Sequence, residues 1–552
     1  MTALKKGILA ALFIAGSMCT AAFAESEHNH LVVAFGKADI VWNPLHSTSA
    51  TEAQIYTAIY EGLVTYHPIT LEPIPGAAES WDVSEDGLVY TFHIRPDARY
   101  WNGDHVLASH FRDSWLKLIS PDEGADYSFL LDVVKNARKF RNGSITDPEQ
   151  VGIKALSDTE LEVTLESPAG HFLKVLAHHS FIPIHPDFLS KDDWTESPSI
   201  ISNGPFYIVE KTPDRIELVK NNLYWDAKKV STERLSIILS NDYEDLTKRF
   251  NNNEIHWTTN FKYSLLEDPE KTFILNPQFA TSYFFFNCRN TPWDNPKVRT
   301  ALNLLVDWAS VRNEELMYLP SATVIPEISG YPKVEGIETQ DTEKAMSLLE
   351  EAGYPGGKGL PNPVIFILPT EEHRTFSNAM KAAWDEKLGV STEIKELSFD
   401  SYYTAIDGDD YTLGLMSWIG DYPDPLTFLQ MWVSDSNLNK GKYSNPEYDK
   451  IIEKAIAAQG LERYTLLAEA ETLILSESGV IPYKHEPALN AVHIDTLQYW
   501  MFNPLDIHPF KYMRYYLPAL IPNTVKLPDE LRIQEDGRII PSVPVSFPTP
   551  RD

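Results

Sequence analysis

The stretch Ser417-Trp418-Ile419-Gly420-Asp421-Tyr422-Pro423-Asp424-Pro425 brings an indole and two carboxylates together just after the apolar run Thr412–Met416. That run reads as a strand, and Gly420 with the two prolines imposes a loop at its end. Loops fixed to a rigid strand are where binding groups concentrate. A carboxylate in a closed cleft makes charge-assisted hydrogen bonds to a cation, and exclusion of water strengthens them. Asp421 and Asp424 have a second role open to them, which is to cap and brace the turn. Residue types and spacing alone favour that second role.

Other reactive constellations are weaker. His28 and His30 lie in the N-terminal tail expected of the mature chain, and His178, His179 and His185 surround Phe181-Ile182-Pro183-Ile184, which reads as a short strand. Neither set has the spacing of a defined metal site, so no metal and no cofactor are expected. His485-Glu486 lacks the second histidine of a zincin. Gly353-Tyr354-Pro355-Gly356-Gly357-Lys358-Gly359 fails as a P-loop and reads as a helix C-cap followed by a turn. A G-x-S-x-G elbow is missing. The expectation is a binding protein and not an enzyme.

The elements that position these groups belong to a chain of 552 residues, too long for one core, so two or three domains are expected. Short strands alternate with helical stretches, which argues for mixed α/β domains. Ile55, Ile59 and Leu63 fit one helical face that Gly62 helps to end, and Asp86-Gly87 reads as a two-residue hairpin turn. A formal net charge of −31 disfavours nucleic acid and anionic membrane surfaces as partners, while remaining compatible with cationic or zwitterionic ligands.

Lys5 and Lys6, the apolar run Gly7–Met18 and Ala22-Phe23-Ala24 form a cleavable secretory signal over residues 1–24. The apolar run falls short of the roughly 20 residues a spanning helix needs. Lipid attachment at Cys19 is disfavoured because Met18 stands where a small residue is usual. Cleavage after Ala24 leaves Cys288 as the sole cysteine, so the core must hold the fold without an intramolecular disulfide. Leu517–Asp552 is rich in proline and polar residues and reads as a tail.

Several ordered blocks carry a resemblance. They are Tyr60-Glu61-Gly62-Leu63, the run from Ser80-Trp81 through Asp86-Gly87 to Tyr90-Thr91-Phe92-His93-Ile94-Arg95, and Trp101-Asn102-Gly103-Asp104. Further on come Asn203-Gly204-Pro205-Phe206-Tyr207 with Asn221-Asn222-Leu223-Tyr224-Trp225-Asp226, then Phe286-Asn287 followed by Pro292–Leu302. The helix-like Asp341–Tyr354 and the pair Trp418–Pro425 and Tyr443–Asp449 complete the set. In this order they closely resemble the peptide/nickel class of extracytoplasmic solute-binding proteins of ABC importers (family 5), most of all its oligopeptide-binding members.

The resemblance implies an α/β, two-lobed periplasmic-binding-protein fold with an additional inserted domain and a ligand cleft between the lobes. By that analogy residues 25–66, 200–280 and 486–530 form lobe one, with 67–199 inserted in it. Residues 281–485 form lobe two, and 531–552 a proline-rich tail. It implies a monomeric periplasmic protein that binds a peptide and hands it to permease subunits in the inner membrane. Asp421 matches the position that accepts the ligand's α-ammonium group, which turns the reading of Asp421, though not of Asp424, from brace to binding group. Ser417 and Ile419 match positions that pair their backbone with an extended peptide. Trp418, Phe399 and Tyr127 match aromatic positions lining the cleft. One departure concerns Leu415, which stands where some oligopeptide binders carry an arginine for the ligand's carboxylate. It keeps open a non-peptide solute on the same scaffold, such as an opine, a sugar derivative, a metal chelate or haem. A secreted hydrolase or a chaperone-like protein is the alternative of another class.

Overall fold

The computed structural model describes residues 29–191, 194, 200–312 and 319–516. The expected signal segment with Cys19, His28 and the tail from Leu517 lie outside them.

Two long antiparallel strands, Phe273–Phe286 and Val480–Val492, form the spine. On one flank the second of them pairs with Trp257–Thr258, and the sheet continues through His30–Phe35, Arg234–Leu239, Arg215–Lys220 and Phe206–Thr212. On the other flank the first pairs with Leu413–Ile419, followed by Val364–Ile367 and Glu393–Glu396. Two lobes thus share a sheet through a pair of crossing strands. Pro277 opposes Pro487 in the crossing pair, and the register shifts between Pro277 and Thr281. Neither proline can donate to the ladder, so the hydrogen bonding breaks where the strands pass from one lobe to the other.

Both halves of the spine are strongly apolar. Tyr283, Phe284, Phe285 and Phe286 are all buried in one lobe, and in the other Trp257 packs edge-on against Phe35 and donates its indole N–H to Asn490 Oδ1 at 2.7 Å. A separate four-stranded antiparallel sheet, in the order Ala78–Val83, Val89–Ile94, Glu160–Thr164 and Ile153–Ala155, carries the helix Ala108–Leu118. Among the described residues no helix is long and apolar enough to cross a membrane.

Local expectations meet this structure with some corrections. The first helix spans Ala50–Ile59 and stops at Tyr60, so Leu63 lies beyond it and precedes the short strand Val64–Tyr66. Its start is fixed by a capping box between Ser49 and Glu52. The hairpin at Asp86-Gly87 is present, but Ser84 N–H bonds Val89 C=O, so four residues connect the strands. Gly87 supplies the positive φ of 71° that this turn needs. The Pro296–Leu304 helix is capped by Asn295, and Thr342–Glu351 by Asp341. His30 opens a strand and bonds Ser236 Oγ at 2.8 Å, so it is not part of a tail. Phe181-Ile182-Pro183-Ile184 is not a strand: Phe181 ends the short turn His179–Phe181, and Ile182-Pro183-Ile184 join no sheet and link it to the helical turn Pro186–Leu189, the two turns being capped by His178 and His185. Cys288 lies just past the end of the spine strand, half-buried, with burial pushing its thiol pKa up.

Candidate functional site

A cavity of about 1340 Å³ opens between the lobes. Its walls include all six residues singled out from the sequence: Tyr127, Phe399, Ser417, Trp418, Ile419 and Asp421.

The strand that carries three of these groups is longer than the apolar run suggested. It spans Leu413–Ile419, so Ser417, Trp418 and Ile419 are part of the sheet and the loop begins at Gly420. Its register against the spine places Thr281 opposite Trp418 and Ala280 opposite Ile419, with Gly420 N–H donating to Phe279 C=O at 2.8 Å. In an antiparallel ladder the residues of one strand alternate between facing the partner and facing away. Gly420 and Trp418 therefore face the spine. Leu415, Ser417 and Ile419 direct their N–H and C=O groups to the other side.

At Leu415 that side is occupied. Tyr402 Oη accepts from Leu415 N–H at 2.6 Å and donates to its C=O at 2.8 Å. The neighbouring strand Val364–Ile367 reaches only Leu413. Beyond these two contacts the edge at Ser417 and Ile419 runs along the cavity, a form suited to strand addition.

Asp421 sits directly after this edge, with its side chain 6% exposed. Tyr127 Oη donates to its Oδ1 at 3.0 Å and Thr427 Oγ1 to its Oδ2 at 3.0 Å, while Asp421 N–H donates back to Thr427 Oγ1 at 2.9 Å. Tyr66 Oη holds its carbonyl at 2.9 Å. Gly420 is required before it, since a Cβ there would stand 2.6 Å from the Phe279 ring and 3.0 Å from Thr427 Cγ2. Among the described residues the sole basic group in ion-pair range is His178, with Nε2 3.9 Å from Oδ1, and burial drives its pKa well below the ordinary value, so the imidazole is neutral. Burial raises the Asp421 pKa to about 7 against the opposing pull of Tyr127 and Thr427. The cleft thus holds a carboxylate supplied with hydroxyl donors and lacking a cation.

Asp424, three residues on, is in a different state. Arg463 grips it with two bonds of 2.7 and 2.8 Å, and its Oδ1 also accepts from Leu426 N–H. Burial opposes its charge, but the Arg463 guanidinium outweighs that and holds its pKa below the ordinary value. It braces the turn.

The aromatic groups divide likewise. Tyr127 acts as the hydroxyl donor to Asp421 and packs edge-on to His178. Phe399 is 57% exposed and meets Tyr403 edge-on with ring centroids 4.9 Å apart. Trp418 is buried, yet its indole N–H has no hydrogen-bond partner, and neither has the buried Tyr60 hydroxyl, which also lines the cavity.

Sequence reasoning missed Thr427, Tyr66 and Arg463, which reach Asp421 and Asp424 through the fold and share no motif with them. His178 drew notice only as a metal ligand; among the described residues no group of three or more His, Cys, Asp or Glu side chains is placed to hold a metal ion.

Bonds across the cleft fix the disposition of the lobes. Besides Tyr127 and Tyr66 to Asp421, Arg138 pairs with Asp435 at 2.9 Å and Asn437 Nδ2 donates to Ala125 C=O at 3.1 Å. The lobes are therefore closed onto each other.

Two lobes on crossing strands, closing over a cavity with an open strand edge and an uncompensated carboxylate, define a protein that captures a soluble ligand. The chain belongs to the bacterial extracellular solute-binding proteins, family 5, whose middle region matches residues 72–440. It is 28% identical over 502 residues to the periplasmic oligopeptide-binding protein OppA of Salmonella typhimurium, covering 86% of this chain and 91% of that one. The structure of the Escherichia coli murein tripeptide binding protein MppA superposes with a TM-score of 0.79 at 25% identity, over 88% of this chain and 98% of that one. The unliganded open form of the same protein, also 25% identical and covering 89% and 98%, reaches a TM-score of 0.64. The lobe disposition here is thus nearer to the former, in keeping with the bonds across the cleft.

Proposed function

We propose that the protein is the periplasmic receptor of an ABC importer for peptides, which it binds extended along Ser417–Ile419 with the N-terminal ammonium on Asp421. The observation that carries this reading is the Asp421 carboxylate, buried and hydrogen-bonded but without a cation. An α-ammonium group supplies the missing charge and up to three donors. From Asp421 the ligand runs back along the strand, where the N–H and C=O groups of Ser417 and Ile419 take its backbone whatever its side chains are. Trp418, Tyr127 and Phe399 wall the path. Binding draws on interactions that form only when the lobes close, so ligand shifts the protein toward the form a permease would recognise.

The same reading divides the chain into lobe one (25–66, 200–280 and 486–530), an insertion (67–199) and lobe two (281–485), acting as a monomer after removal of residues 1–24. The four-stranded sheet over Ala78–Thr164, separate from the shared sheet, supports the insertion. Leu415 favours a second reading, a non-peptide solute in the same cleft, since this side chain is buried and offers nothing to a carboxylate.

Native mass spectrometry of the mature protein purified from its own periplasm separates the two. Added masses that fragment as short peptides are expected, whereas one non-peptide mass would replace the peptide reading with the second.

A further inference from the structure

The charges around the cavity do not balance. Three lysines line it, and each already has a carboxylate: Lys37 with Asp214 at 2.5 Å, Lys440 with Asp407 at 2.8 Å, and Lys511 with Glu61 at 3.3 Å. No arginine lines it among the described residues, and burial lowers the pKa of both His178 and His179. Of the lining carboxylates, Glu52 is taken up by the backbone N–H groups of Val41, Thr48 and Ser49 and by the Ser47 hydroxyl. Glu61 and Asp407 hold two of the lysines, and Asp39 is exposed, where water satisfies its charge. Asp421 awaits one cation. Asp126 awaits another.

Asp126 opens the tight turn Asp126–Leu131, which also presents Tyr127, and it faces the cavity beside the residue that orients Asp421. It is half-buried, and its carboxylate accepts no hydrogen bond among the described residues. Burial raises its pKa, with Lys440 and His46 acting against that and Asp407 adding to it. Lys440 is committed to Asp407, so it does not complete the site. The exposed rings of Phe399 and Tyr403 line the same cavity and suit the methylene stem and cationic head of a long basic side chain.

Building on the peptide reading, we propose that the cleft selects peptides bearing a second cation, a lysine or arginine side chain that pairs with Asp126, and that no protein cation holds the ligand's carboxylate. Recognition is then by two carboxylates, one for the amino terminus and one for a side chain, and the peptide's far end is read by shape alone.

The test is calorimetric titration of the mature protein, freed of any carried ligand by unfolding and refolding, at pH 8. The probes are trialanine, its three single-lysine variants, the matching norleucine peptides and trialanine amide. At least one lysine peptide should bind about tenfold or more tightly than its norleucine counterpart. In Asp126→Asn, with an unchanged melting profile, that ratio should fall to near one. Trialanine amide should bind at least as well as the free acid. Equal affinity for all lysine and norleucine pairs, a ratio that survives in Asp126→Asn, or a tenfold loss on amidation overturns the proposal while leaving the peptide reading in place. If no tripeptide binds at all, the peptide reading fails and this proposal with it.

Discussion

Replacing Asp421 by asparagine keeps the size and shape of the side chain and removes its charge, with one acceptor oxygen becoming an NH2 group that must donate to the Tyr127 or Thr427 hydroxyl, so the pH-dependent part of the difference isolates what that charge costs the empty protein. Burial raises the Asp421 pKa from 3.8 to about 7. Each pKa unit corresponds to about 1.4 kcal/mol, so with an unperturbed unfolded state the ionised, ligand-free protein loses about 4 kcal/mol. The sign follows from proton binding. Between pH 4 and 7 the folded state holds a proton that the unfolded state has released, so the wild-type stability falls as pH rises through this window and levels off above it. Asp421→Asn has no such loss. In urea titrations of ligand-free protein, the variant's advantage over wild type should be near zero at pH 4 and grow to about 4 kcal/mol by pH 8. The peptide binding of the wild type should show the reverse of this cost. Trialanine affinity should drop about tenfold per pH unit below 7 as protonation competes with the ammonium, and the variant should bind at least a hundredfold more weakly than wild type at pH 8. Parallel stability profiles of the two proteins across pH would refute the reasoning, because the charge would then have a partner in the empty cleft.

Two more substitutions probe the loop. Arg463→Met leaves the buried Asp424 carboxylate unpaired and should lower stability by about 3–5 kcal/mol in urea titration at pH 7, a loss expected to shrink at acid pH as Asp424 takes up a proton. Gly420→Ala places a methyl group against the Phe279 ring, which is itself wedged edge-on against Phe428, and against Thr427. The displacement should fall on Thr427 and hence on Asp421, lowering trialanine affinity by about tenfold or more in calorimetry.

Much of the fold and part of the site were legible in the sequence, for different reasons. Asn295 and Asp341 cap their helices through the backbone N–H groups two or three positions on, an interaction within one short stretch of sequence. The ordered blocks from Tyr60 to Asp449 gave the two-lobed scaffold by resemblance. The length of the Leu413–Ile419 strand was not legible, because its last three residues mix a polar, an aromatic and an aliphatic side chain and are held in the sheet by the distant segment Ala280–Ser282. Likewise nothing near Asp424 announces Arg463, 39 residues away and on a helix whose sequence suits an ordinary exposed arginine. Tyr127 matched an aromatic wall position, but its hydroxyl bond to Asp421 depends on the closed lobes. The lysine pairings around the cavity bring together residues as far apart as Glu61 and Lys511, and only the fold shows that, among the described residues, each lining lysine has a carboxylate.

The claim that rests most on this geometry is that Asp421 receives the amino terminus of a peptide. Calorimetric titration at pH 8 with trialanine and with N-acetyl-trialanine tests it directly, since acetylation removes the positive charge and leaves the backbone to pair with Ser417 and Ile419. The account predicts measurable binding of the free peptide and an affinity at least a hundredfold lower for the acetylated one. Equal affinity for the two would contradict it.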